Sequence, residues 1–231
     1  IKLAISPVMF KKAEQPDAQR FYSKMLLYTS YALMISIIFI SLFSYELIKA
    51  ITLTDELVSA VHIVPLLGLS IFFVNMKEIT VYGLHIVRKT KIIGSVVVFT
   101  TLASLGLNIL LIPIWDVYGC ALATFISQLI YFILVFLFSQ KKYHVPYEYY
   151  KLILLFTLGT LFSFSAFLLN DLSLIPRIGL KLILFALFPF ALFPLRFYEK
   201  AEVDAIRGFI RKWGNISDLR DNLRTLKNIG D

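Results

Sequence analysis

Four side chains are of a type and in a place to do chemistry: His62, Asn75, Lys77 and Asn108, each a polar group inside or at the edge of a long apolar run. An unsatisfied polar group in hydrocarbon is costly, so such residues must face a protein partner or a watery cavity. Two readings stand for His62: a group that titrates near neutrality and couples transport to protons, or an imidazole bonded to a neighbouring carbonyl. Pro65, three residues on, is either a hinge or a tolerated kink. Arg88, Lys89 and Lys91 set three cations within four residues. They suit a phosphate-bearing lipid headgroup, or the ordinary charges that end a span at the interface. Lys77 opens the same connection and is grouped with them as a headgroup or cytoplasmic anchor.

Other chemistry finds no support in the pattern. There is no Gly-rich phosphate loop followed by Lys-Ser/Thr, no carboxylate pair and no nucleophile beside a base. His62, His85 and His144 lack metal-ligand spacing, and the single cysteine, Cys120, has no partner for an internal disulfide. The expectation is a protein with no metal, no cofactor and no enzymatic activity.

The elements that must position these groups are membrane spans. Residues are 58% hydrophobic and 16% charged, with a mean hydropathy of +0.78, whereas soluble domains carry about 25% charge. Uncharged runs 25–45, 57–76, 92–115, 117–140 and 152–170 hold 21, 20, 24, 24 and 19 residues. Each is near the roughly 20 residues that cross a bilayer as helix. A sixth run, 178–195, contains one charge, Lys181, close enough to its end to snorkel to the interface. The predicted fold is all-α, a polytopic membrane protein of six transmembrane helices.

Assigning the connections alternately to two sides separates the charges. Residues 1–24 hold five Lys or Arg, 77–91 four, 141–151 three and the tail from Arg196 eight, together 20 of the 23. The positive-inside rule makes that side cytoplasmic. The formal charge of +8 therefore reads as topology and attraction to anionic headgroups, not as a nucleic-acid site. Residues 1–24 form the end of a preceding helix and a cytoplasmic loop, 25–195 the six-helix region, and 196–231 an amphipathic cytoplasmic tail. In that tail Val203, Ile206, Phe209, Ile210 and Trp213 recur at helical spacing among Lys and Arg, for a helix lying on the inner leaflet or packed on the cytosolic loops. The chain opens at Ile1 without a basic-then-apolar leader, so it is expected to be part of a longer chain.

Pro113 and Gly119 interrupt helix where two runs meet, predicting a tight outer hairpin over 113–119. Gly119, Ala123 and Ser127 then follow at intervals of four, a small-residue ridge that lets helix backbones approach closely. These stretches resemble a known family. Ser6-Pro7, the stretch from Ala18 to Tyr22, Leu42-Phe43-Ser44 with Glu46, Ile63 to Leu67, Gly83 to Ile86 leading to Lys89-Thr90-Lys91, and above all Asn108 to Pro113 followed by Gly119 to Thr124 are similar to the polysaccharide biosynthesis protein family. These are the Wzx-type flippases of the multidrug/oligosaccharidyl-lipid/polysaccharide exporter superfamily. Cys120 departs from that family's usual alanine.

The resemblance implies helices nine to fourteen of a fourteen-helix, two-lobe transporter, with residues 1–10 the inner end of helix eight. It implies alternating access in the cytoplasmic membrane. Its partners would be a lipid-linked glycan as substrate, membrane lipids and an N-terminal lobe. His62, Asn75 and Asn108 become the candidates for the cavity side. Two other functions stay open: a cation or multidrug antiporter of the same superfamily, against which the spans show no buried Asp or Glu, and a membrane-embedded glycosyltransferase or polymerase, for which the outer loops are short.

Overall fold

The computed structural model describes residues 7, 9–13, 15–51, 60–170, 173–195, 197–199 and 203–204. Helix α1, Ala18–Ile51, has 34 residues with no Gly or Pro to interrupt it. At 1.5 Å per residue it is about 51 Å long, longer than the hydrocarbon core of about 30 Å, so its ends project beyond it. Its hydroxyls do not break the helix because they bond back to it: Thr29 Oγ1 donates to the Met25 carbonyl at 2.6 Å and Ser36 Oγ to Ala32 at 3.1 Å.

Helix α2, Val64–Thr80, follows a 3-10 turn over 60–63, with Pro65 in its first turn. A proline there gives up an N–H that has no intrahelical partner anyway. It therefore starts the helix and neither kinks nor hinges it. Helix α3, Tyr82–Ile86, ends where Arg88 takes φ 55°. The Lys89 N–H then reaches back to the Leu84 carbonyl at 2.9 Å, a left-handed helix stop that is usually built on glycine.

Helix α4, Thr90–Lys142, has 53 residues and is broken at Asp116, where φ is 49° and ψ is −123°. A straight rod of that length would reach about 80 Å. The chain doubles back instead: Gly119 lies so close to the Leu111 carbonyl that a Cβ would overlap it. The two legs, 90–115 and 117–142, are antiparallel, and the hairpin expected over 113–119 turns at one residue. Helix α5, Tyr149–Ser165, continues as a 3-10 turn, Ala166–Leu169. Helix α6, Leu174–Ala191, completes the set, four residues earlier than the 178–195 run. Among the described residues five helices are long and apolar enough to span a bilayer, and the reversal in α4 makes six crossing segments there.

The exterior is apolar. Phe99, Leu102, Ile109 and Ile183 are all more than half exposed, whereas buried positions include Ser30, Ser41, Thr80, Ser127, Arg177 and Lys181. An oily surface around a partly polar interior suits lipid as solvent. The chain is a multi-pass α-helical membrane protein.

Two compact units divide the chain, Ile1–Phe188 and Pro189–Asp231. In the second, the Tyr198 hydroxyl donates to the Pro189 carbonyl at 3.2 Å, and the Phe193 and Tyr198 rings lie 6.0 Å apart. Most of the proposed amphipathic tail lies outside the described residues.

Candidate functional site

The alternation of spans gathers the connections at two ends. At one end Ser23 Oγ donates to the Pro146 carbonyl at 2.8 Å, Lys24 pairs with Glu148 at 2.6 Å, and Ser139 Oγ donates to the Thr80 carbonyl at 2.8 Å. Segments 15–24, 77–91 and 141–151 thus share the end that carries most of the described cations. Lys151 closes on Glu148 from the other side at 2.6 Å. Burial pushes the Glu148 carboxyl up, but the hydrogen bonds from Lys151 and Lys24 outweigh it and hold it below its ordinary value. Burial raises the nearby tyrosines: Tyr22, also beside Tyr143, is pushed up to about 12, and Tyr143 and Tyr147 move the same way.

Between the legs of α4 runs a polar cavity of about 360 Å³. Thr100, Ser104 and Asn108 line it at intervals of four on the first leg, and Ser127, Gln128 and Tyr131 on the second. Thr100 and Ser127 spend their hydroxyl protons on their own helices, bonding Val96 at 2.8 Å and Ala123 at 2.6 Å. The Asn108 amide donates to the Ser104 carbonyl at 2.8 Å, which leaves its oxygen to accept. The Tyr131 ring carries Lys77 Nζ at 4.3 Å from its centroid, close enough for a cation–π contact. The lining offers amide and hydroxyl groups, with the Lys77 cation held against Tyr131, a set that suits hydroxyl-rich headgroups.

A second polar site joins α1 to α6 at the opposite end. Lys181 Nζ donates to both oxygens of Glu46, at 2.9 and 2.8 Å, and to Asn170 Oδ1 at 3.1 Å. Arg177 Nε lies 2.8 Å from Glu46 Oε1, yet its N–H is off line, so this is a charge contact and not a hydrogen bond. Arg177 Nη1 donates to the Asn170 carbonyl at 3.1 Å, and the guanidinium stands 4.5 Å from the Tyr45 ring centroid. Lys181 is 0% exposed, which corrects the expectation that it snorkels. With a carboxylate in reach, pairing offsets the cost of burial. Glu46, its side chain 17% exposed, bounds the first run and is partly buried, so it lies at the edge of a span and not within one.

The candidates from sequence are dispersed. Asn108 and Ser127 share the α4 cavity, with Lys77 beside it. His62 does not: it is exposed in the turn before α2, with its ring 4.8 Å from Phe167, because Pro65 starts the helix beyond it. Asn75 is 8% exposed and its Nδ2 has no hydrogen-bond partner among the described residues, but it does not line the cavity. Arg88, Lys89 and Lys91 are exposed, as anchors would be. Lys77 departs from them: its side chain is 13% exposed and lies against Glu78 at 3.1 Å. Gly119, Ala123 and Ser127 all lie on the buried face of their leg.

Sequence reasoning passed over Gln128 and Tyr131, although Tyr131 continues the four-residue spacing of Gly119, Ala123 and Ser127. No family model matches the chain, and no curated protein or solved structure is significantly similar to it.

Proposed function

We propose that the chain is part of a membrane transporter that flips a lipid-linked oligosaccharide across the cytoplasmic membrane by alternating access, with its C-terminus cytoplasmic. The observation that carries this reading is the α4 cavity. Within a bundle whose outside is hydrocarbon, Asn108, Ser104, Gln128 and Tyr131 present hydrogen-bonding groups to one space, and Lys77 stands beside them. Such groups let a sugar headgroup cross the apolar layer while its lipid stays outside. The sequence resemblance points the same way and supplies the second lobe that alternating access requires. Membrane lipids and that lobe are the partners.

A cation antiporter is the second reading, and Glu46 is the carboxylate it would need. Two cations already occupy Glu46, which favours the flippase. The test is a flipping assay on the full gene product in proteoliposomes, using a fluorescent polyprenyl-diphosphate sugar and a membrane-impermeant quencher. Asn108→Ala with Gln128→Ala is expected to slow flipping about thirtyfold, for two hydrogen bonds of roughly 1 kcal/mol each. Flipping at the unaltered rate, or none by the unmodified protein, would overturn the proposal.

A further inference from the structure

A second cavity, of about 230 Å³, lies between α2, the second leg of α4 and α5. Its wall is hydrocarbon: Phe72, Phe132, Phe136 and Phe156, with Tyr149 and Ile153 at the rim. The rings form a continuous lining, Phe72 to Phe156 at 5.7 Å, Phe132 to Phe136 at 5.6 Å and Phe136 to Tyr149 at 5.9 Å. Phe72 is buried, whereas Tyr149 and Ile153 are exposed, so the cavity opens sideways between these two. In a membrane-spanning bundle a sideways opening faces acyl chains. Water gains nothing there, since a buried water needs two or more polar partners.

The rim leads to charge. Gln140 Nε2 donates to the Tyr149 hydroxyl at 2.9 Å, and the next two residues, Lys141 and Lys142, are exposed and make no ion pair with any described residue. From Tyr149 to Phe156 the cavity spans two helical turns, about 10 Å, the length of a segment of fatty-acyl chain. We propose that this cavity holds one acyl chain of an anionic phospholipid whose phosphate rests on Lys141 and Lys142. The apolar lining selects the chain, and the two exposed lysines select the headgroup, each basic residue near a membrane surface strengthening anionic-lipid binding by about fivefold. This inference stands apart from the transport reading.

The test uses the full chain, with Trp115→Phe and Trp213→Phe, in phosphatidylcholine nanodiscs titrated with brominated phosphatidylglycerol. Phe156→Trp reports the cavity, Phe132→Trp is a second reporter should the first not fold, and Phe99→Trp reports ordinary lipid contact. Half-quenching of the cavity reporter is expected at a mole fraction about fivefold or more below that of Phe99→Trp. Lys141→Ala with Lys142→Ala is expected to abolish that difference. Equal curves for cavity and control, equal effects of brominated phosphatidylcholine, persistence without the lysines, or displacement by polyprenyl phosphate alone would each overturn the proposal.

Discussion

Lys181 lies 135 residues from Glu46 in sequence and within 2.9 Å of both its carboxylate oxygens, fully buried. The contact ties the first crossing segment to the last. Helix α6 buries little else: its buried residues are Arg177, Lys181 and Phe188, the last meeting Phe162 at 5.5 Å. Removing one partner of a buried pair leaves an uncompensated charge and costs about 3–5 kcal/mol, while removing both can be nearly neutral. Glu46→Gln should therefore lower thermal stability sharply in detergent, and Glu46→Gln with Lys181→Met should recover much of the loss. A double-mutant cycle reads the coupling. A value near zero would mean that the pair does not fasten α6.

Gly119 makes the α4 hairpin possible because its missing Cβ leaves room for the Leu111 carbonyl. The obstacle is backbone, so no rotamer change relieves it. Gly119→Val should cost several kcal/mol or prevent folding, the range for a forced clash in a packed site. Gly106, on the first leg, has open space where its Cβ would go. Gly106→Ala should be neutral or stabilising, by up to about 1 kcal/mol of helix propensity. Comparable losses in the two variants, measured by thermal unfolding, would show that the hairpin does not depend on this close approach.

What the sequence made legible follows the range of the interactions. Charges bracket the spans locally, and Pro113 with Gly119 marks the reversal within seven residues, so spans and hairpin could be read in advance. The Gly119, Ala123 and Ser127 spacing foretold a buried face for the same reason. His62 was misplaced within the span, although a proline at 65 suits the first turn of a helix and leaves residue 62 outside it. Lys181 was not legible. Whether a lysine near a span end snorkels or pairs depends on which distant helix lies beside it, and Glu46 enters only through the tertiary fold. Lys77 was misjudged likewise, since Tyr131 comes from another helix.

Glu148 predicts a pH dependence. Its carboxyl is held below the ordinary value by Lys151 and Lys24, so the folded state binds its proton less readily than the unfolded chain. The stability it contributes is fully present above the unfolded value, for which 4.5 is the reference, and is lost as pH falls through the depressed folded value. Thermal stability should drop on acidification below about pH 4.5 in the unaltered protein and less steeply in Glu148→Gln. Parallel profiles would show that these ion pairs do not anchor the 143–149 segment.

Orientation yields the last prediction. The Ser23–Pro146 and Ser139–Thr80 bonds place segments 15–24, 77–91 and 141–151 at one end, while Glu46 and Lys181 meet at the other. Basic residues are retained on the cytoplasmic side during insertion, so the first end should be cytoplasmic. In a Cys120→Ala background, Lys49→Cys should react with a membrane-impermeant maleimide added to intact cells. Lys89→Cys and Lys141→Cys should react only after permeabilisation. The reverse pattern would invert the topology and reverse the side from which a substrate enters the α4 cavity. Labelling of all three in intact cells would contradict the alternation itself, because the fold puts an odd number of crossings between Lys49 and either of the other two.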